Sequence, residues 1–152
     1  MTRSAQAKQK EKGKFTVSEV PTVEAPNFTM NWTDLKSSLP IEQLTVKRVY
    51  WINNVKGKGI SGQHFHKDDE NEIFFVTQGT GIAVIDDGKG LRDVSLRRNS
   101  IMWVPRLTWH GFKKMSRDFT IVALTTTNYD PDRKGYETNY QDFQKLERKV
   151  KK

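Results

Sequence analysis

The chain has 152 residues and no cysteine, which excludes disulfides and thiolate metal ligands and points to a reducing, cytoplasmic setting. It suits one domain with a single core; no apolar run approaches the ~20 residues of a membrane span, and the Lys- and Gln-rich start is not a secretory signal. The net charge of +8 sits at the two ends, in Arg3, Lys8, Lys10, Lys12 and Lys14 against Glu11, and in Lys145, Arg148, Lys149, Lys151 and Lys152 against Glu147. The body between is neutral, so neither a nucleic-acid partner nor a membrane partner is expected.

Residues 1–14 read as a disordered basic tail, and residues 15–43 as an N-terminal arm or edge strand. Within that arm Asn31 to Leu35 is expected to open one helical turn, capped by Asn31 or Thr33. From Leu44 onward the pattern is one of short strands. Val46, Tyr50 and Ile52 alternate with Lys47, Val49 and Trp51, and Ile73 to Thr77 leads through Gly79 and Gly81 into Ile82 to Ile85. Asp86-Asp87-Gly88-Lys89-Gly90 is a hairpin signal, because Asp-Gly supplies the positive φ angles of tight turns. Leu91 to Leu96, Ile101 to Val104 and Phe119 to Thr125 continue the series, with Arg97 to Ser100 as a further hairpin turn. This rhythm predicts an all-β sandwich or barrel. Asn139 can cap a short C-terminal helix carrying Tyr140, Phe143, Leu146 and Val150 as an apolar stripe. The folded domain is thus expected over 44–145, its helix starting near 139, with 146–152 as a second basic tail.

The chain has three histidines, two of them in Gly62-Gln63-His64-Phe65-His66-Lys67. On a strand, residues two apart share a face, so both imidazoles point the same way, roughly 7 Å apart along the backbone, and Phe65 points the other way. His110 follows in Val104-Pro105-Arg106-Leu107-Thr108-Trp109-His110. The plain structural reading is a hydrogen-bonded pair lining a barrel; the chemical one is proton transfer near neutral pH.

These residues resemble the cupin double motif. His64 and His66 are followed by Glu72 and, after six intervening residues, Gly79; Pro105 and His110 match the second motif, with Leu107 where the family pattern has glycine. The resemblance implies a cupin jelly-roll barrel or sandwich. A narrower resemblance, over about residues 45 to 145, is to the WxcM-like sugar-nucleotide 3,4-ketoisomerases. It rests on Arg48-Val49-Tyr50-Trp51, the Gly62 to Lys67 segment, Asp86-Asp87-Gly88, Trp109-His110, and the run from Asn128-Tyr129-Asp130-Pro131 to Tyr136-Glu137-Thr138-Asn139-Tyr140-Gln141-Asp142-Phe143. The departures are Ser61 and Thr138 where the family carries arginine, and Asn53 and Asn54 where it carries tyrosine and aspartate. Lost arginines bear on a diphosphate ligand, since arginine makes bidentate phosphate contacts that serine and threonine cannot.

The resemblance implies an enzyme that moves a keto group between C4 and C3 of a nucleotide-linked 6-deoxyhexose through an enediol. His64 and His66 are the expected acid–base pair, their order left open. Trp51, Gln63, Glu72, Arg106, Trp109 and His110 are the expected substrate contacts, with no cofactor, no metal and a homodimeric assembly. Two other readings stay open. One is a non-catalytic cupin that binds a sugar or nucleotide-sugar. The other is a metal-dependent cupin enzyme whose ligands are His64, His66, Glu72 and His110, a set suited to Fe, Mn, Ni or Zn.

Overall fold

The structure, a computed structural model, describes residues 15–35 and 45–150, the side chain of Val150 excepted. The expected N-terminal tail (residues 1–14) and the last two residues lie outside that set. Asn31 does not cap a helix; it ends a strand.

In chain order the strands are β1 (Thr16–Glu19), β2 (Thr22–Ala25), β3 (Phe28–Asn31), β4 (Arg48–Ile52), β5 (Phe65–His66), β6 (Glu72–Gln78), β7 (Thr80–Asp86), β8 (Arg92–Arg97), β9 (Ser100–Val104), β10 (Trp109–Lys113), β11 (Thr120–Thr125) and β12 (Tyr136–Glu137), with α1 (Tyr140–Val150) last. One sheet has the order β1-β9-β6-β11-β4, with every pair antiparallel. The other is β10-β7-β8, and it is longer than its regular ladder suggests. His64 N donates to His110 O (2.9 Å) and His110 N to His64 O (2.8 Å), which brings the β5-β12 pair alongside β10. Two antiparallel layers face each other, the sandwich that the strand rhythm predicted, in the jelly-roll form that the cupin resemblance implied.

Alternation sets what lies between the layers. Phe74 and Val76 of β6, Ala83 and Ile85 of β7, Met102 and Val104 of β9, Phe112 of β10, and Ile121 and Ala123 of β11 form the main core. On β4 the same parity sends Arg48, Tyr50 and Ile52 inward, and Val49 and Trp51 outward, 53% and 64% exposed. Left-handed backbone is used at several turns, two of which bear on the sequence reading. Gly88 (φ 96°) turns the β7–β8 hairpin, where Asp86 Oδ1 accepts from Gly88 N and Gly90 N. Asn99 (φ 71°) turns Arg97 to Ser100, which is not a hairpin: β8 and β9 belong to different sheets, so this turn crosses between layers.

Asn139 caps α1, its Oδ1 accepting from Gln141 N (2.9 Å) and Asp142 N (3.3 Å). The helix lays Phe143 against Phe65, Leu107 and Trp109, with Tyr140 and Leu146 at the margin. It continues to Val150, so the segment from 146 expected as a tail is its last turn, with Leu146 against this cluster and Glu147 buried.

Candidate active site

The site is built by the same alternation. On β5 and the residue before it, His64 and His66 turn inward and Phe65 turns out to pack under α1. On β6, Glu72 shares the inward parity of Phe74 and Val76; on β10, His110 shares that of Phe112. The four side chains converge at one end of the barrel, beside a cavity of about 500 Å³ whose wall includes His64, His66, Glu70, Glu72, Tyr50 and Tyr136. His110 lies behind this wall, 2% exposed.

Glu72 is the hub. Its Oε2 is 2.9 Å from His110 Nε2 and 3.3 Å from His66 Nε2, and its Oε1 accepts from the Tyr50 hydroxyl at 2.8 Å. Burial alone would raise the Glu72 pKa, but the contacts and charges of His110 and His66 outweigh it and hold the carboxyl well below its ordinary range. His66 has carboxylates at both nitrogens, with Glu70 Oε2 3.2 Å from Nδ1. Burial would lower its pKa, yet Glu72 and then Glu70 outweigh burial and raise it, so His66 favours the imidazolium.

His64 is the opposite case. Burial first, and then the neighbouring His110 and His66, push its pKa down to about 2, so the ring is neutral. His64 Nε2 is 3.2 Å from His66 Nε2, and the ring stacks on Tyr136 at 4.0 Å and 22°. Two imidazoles whose pKa values are pushed in opposite directions thus stand in hydrogen-bond reach on the same wall. Tyr50 and Tyr136 are both raised by burial, with the Glu72 charge adding to the effect, and both remain hydroxyl donors at neutral pH.

The same four residues fit a metal. Each offers one ligand atom, all within 4.8 Å of one another. His110 Nδ1 faces Thr108 O at 2.9 Å and must carry hydrogen there, since a carbonyl only accepts. Its Nε2 therefore meets Glu72 Oε2 with a proton or a cation between them. Both atoms are buried without an aligned hydrogen-bond partner. Outer partners that hold Nδ1 and aim Nε2 inward are also what a transition-metal site uses.

Five expected substrate contacts are not on the cavity wall: His110, just behind it, and four that lie farther off. Trp51 follows Tyr50, Gln63 precedes His64 and Trp109 precedes His110, so the pleat turns each away from the site. Trp51 is exposed on the outer sheet face. Trp109 is 4% exposed in the layer under α1, 5.0 Å from the Tyr140 ring, its Nε1 donating to Gln63 Oε1 at 3.2 Å. Arg106 is held away by Asp69, its Nη1 donating to Oδ1 at 3.0 Å. In their place the structure supplies Arg48, Tyr50, Glu70 and Tyr136. The parity of β4 signals the first two. Tyr136 arrives through the two-residue pairing of β12 with β5, which leaves no periodic trace.

Comparison with known proteins agrees with this fold. A curated relative, the TDP-4-oxo-6-deoxy-alpha-D-glucose-3,4-oxoisomerase of Aneurinibacillus thermoaerophilus, is 28% identical over 107 residues, 70% of this chain and 75% of its own. The structure of WlaRA, a TDP-fucose-3,4-ketoisomerase from Campylobacter jejuni, superposes with a TM-score of 0.73 at 25% identity, covering 90% of this chain and 97% of that one. The 3,4-ketoisomerase QdtA from Thermoanaerobacterium thermosaccharolyticum, in complex with TDP, shares the fold at a TM-score of 0.74 and 17% identity, covering 90% and 96%. The family model described as FdtA: WxcM-like, C-terminal, matches residues 13–148, and the chain belongs to that family.

Proposed function

We propose that this protein is a sugar-nucleotide 3,4-ketoisomerase that shifts a keto group between C4 and C3 of a nucleotide-linked 6-deoxyhexose. The observation that carries the reading is the pair of His64 and His66 on one cavity wall, their Nε2 atoms 3.2 Å apart. The reaction removes a proton from the carbon next to the ketone and delivers one to the former carbonyl carbon, through an enediol. Histidine suits both steps, since a free ring nitrogen accepts a proton and a protonated one donates it, and the 3.2 Å contact lets the proton pass between the two rings. Glu72 and Glu70 hold His66 charged, and the Tyr50 hydroxyl keeps Glu72 in place. The known relatives, named for TDP-sugars, support this substrate class.

The working form we propose is a cytoplasmic homodimer serving deoxysugar supply for polysaccharide assembly. Supporting the dimer, the outer face of the five-stranded sheet exposes Val49 and Trp51. Among the described residues no helix is long and apolar enough to cross a membrane. The test of function is incubation with TDP-4-keto-6-deoxyglucose, with the 3-keto product read by proton NMR; recovery of unchanged substrate overturns the reading.

A second reading is favoured by the donor set itself. A divalent metal held by His64, His66, Glu72 and His110 would supply Lewis-acid polarisation of a bound carbonyl. Metal analysis of the purified protein separates the two.

A further inference from the structure

The strand that carries the histidine pair is short and lightly held. β5 has two residues, paired with the two of β12, and a single bridge joins His64 to His110. Beyond these, His66 O accepts from Leu107 N at 3.1 Å and Lys67 N donates to Gly135 O at 2.8 Å. Such bonds fix the path of a strand better than its roll. A roll of about 20° about the strand axis stays within hydrogen-bond tolerance, yet it carries an imidazole tip roughly 5 Å from that axis through about 2 Å. The Nε2 atoms of His64 and His66 are 3.2 Å apart, so a roll of that size changes the site.

Phe65, between the two histidines and on the opposite face, locks the strand against it. The side chain is 1% exposed and shares one cluster with Leu107, Trp109 and Phe143. Its ring meets Phe143 edge-on, the ring centres 5.3 Å apart at 62°, and Phe143 lies 6.0 Å from Trp109. Leu107 and Trp109 flank β5 within its own layer, so Phe143 of α1 closes the cluster from outside. The helix is tied down at the turn before it. The Tyr140 hydroxyl donates to Asp86 Oδ2 at 2.7 Å, and buried Asp86 has its other oxygen taken by Gly88 N and Gly90 N. The Tyr140 ring then stacks on Phe143, centres 5.8 Å apart at 18°. Among the described residues none of α1 lines the cavity. The helix reaches the histidines from behind, through Phe65.

We propose that Phe143 is a positioning residue: by wedging Phe65 it sets the roll of β5, and with it the direction in which His64 and His66 present Nε2 to the cavity. The effect on turnover rests on the reaction proposed above; the effect on the imidazoles does not. A close-packed cluster transmits the change, because Phe65 moves toward the space that a missing ring at Phe143 leaves. His110 supplies an internal control. Its strand pairs with β7 along its whole length, and its Nδ1 is held by Thr108 O.

The test uses the full chain with isotope-labelled histidine, its three imidazoles read by proton–nitrogen NMR and assigned from single His→Asn variants. Phe143→Ala should shift or broaden the His64 and His66 ring signals by more than those of His110. Phe143→Leu, which refills most of the volume, should move them less and carries the test where the alanine variant does not fold. With TDP-4-keto-6-deoxyglucose, kcat should fall roughly 10- to 100-fold in Phe143→Ala at unchanged KM, since no ligand contact is touched. A helix that merely adds stability would lower the melting temperature and leave ring signals and kcat of the folded variants at wild-type values, and that result overturns the proposal. Movement of the His110 signals as large as that of the other two overturns it as well. A wild type that forms no 3-keto product overturns the isomerase reading, while the ring signals still decide the role of Phe143.

Discussion

The Tyr50 hydroxyl, on one edge of the five-stranded sheet, donates to Glu72 Oε1 near its middle across 2.8 Å, with β11 lying between their strands. The bond fixes the carboxylate that two histidines share. Tyr50→Phe leaves a buried oxygen without its donor and should cost about 1–3 kcal/mol of stability. Turnover should fall as Glu72 loses its fixed position. Urea unfolding and turnover of the same variant check both; wild-type values in each would show the bond to be incidental.

The histidine cluster gives stability a maximum in pH. His66 has a raised folded pKa, so its contribution is full below its ordinary value of 6.5 and is lost as pH rises through the folded value. His64 is depressed to about 2, so the unfolded chain takes up a proton below 6.5 that the folded chain refuses, and stability falls there. Glu72 adds to the acid loss once pH drops below its ordinary 4.5 and through its lowered folded value. Unfolding free energy should therefore peak near pH 6.5, and His64→Asn should flatten the limb between 6.5 and 4.5. A flat wild-type profile from pH 8 to pH 5 would contradict the assigned charge states.

Much of this was legible in the residues because strands write their faces into alternate positions. His64 and His66 two apart, Glu72 in step with Phe74, and His110 in step with Phe112 identify the inward set. The same rule, applied to neighbours, would have turned away Trp51, Gln63 and Trp109: each lies next to an inward residue and so faces out. Those three have the chemical type of a sugar contact, and type does not say which face a side chain occupies. Tyr136 and Glu70 were out of reach for another reason. Their approach to His64 and His66 depends on long-range pairing and on a loop path, neither of which has a local period. The crossing of Arg97 to Ser100 between sheets was hidden likewise, because a turn signal does not say whether its strands will pair.

Leu107 occupies the glycine position of the second motif and pays for it in conformation, with φ 57°. Its backbone N donates to His66 O at 3.1 Å, and its side chain packs with Phe65, Trp109 and Phe143. Leu107→Gly relieves about 1–2 kcal/mol of left-handed strain but forfeits burial worth about 2–5 kcal/mol in large-to-small substitutions. A net loss of about 1–3 kcal/mol is expected by denaturant unfolding. A variant more stable than wild type would mean that the strain outweighs the packing.

For the metal-free mechanism, the purified protein should contain far less than stoichiometric Fe, Mn, Ni or Zn, and chelation should leave turnover unchanged. Stoichiometric metal lost together with activity would favour the cage of His64, His66, Glu72 and His110 as a metal centre.

The most direct measurement is deuterium incorporation into the sugar ring in deuterated water, for wild type, His64→Asn and His66→Asn, with TDP-4-keto-6-deoxyglucose as substrate. Wild type should form the 3-keto product with deuterium at the ring carbon that receives the new proton. Each variant should remain folded, still bind thymidine 5′-diphosphate, and exchange roughly 10²–10⁴-fold more slowly. Wild type that binds the nucleotide-sugar but exchanges no ring proton, or variants that exchange at the wild-type rate, would contradict proton transfer by this histidine pair.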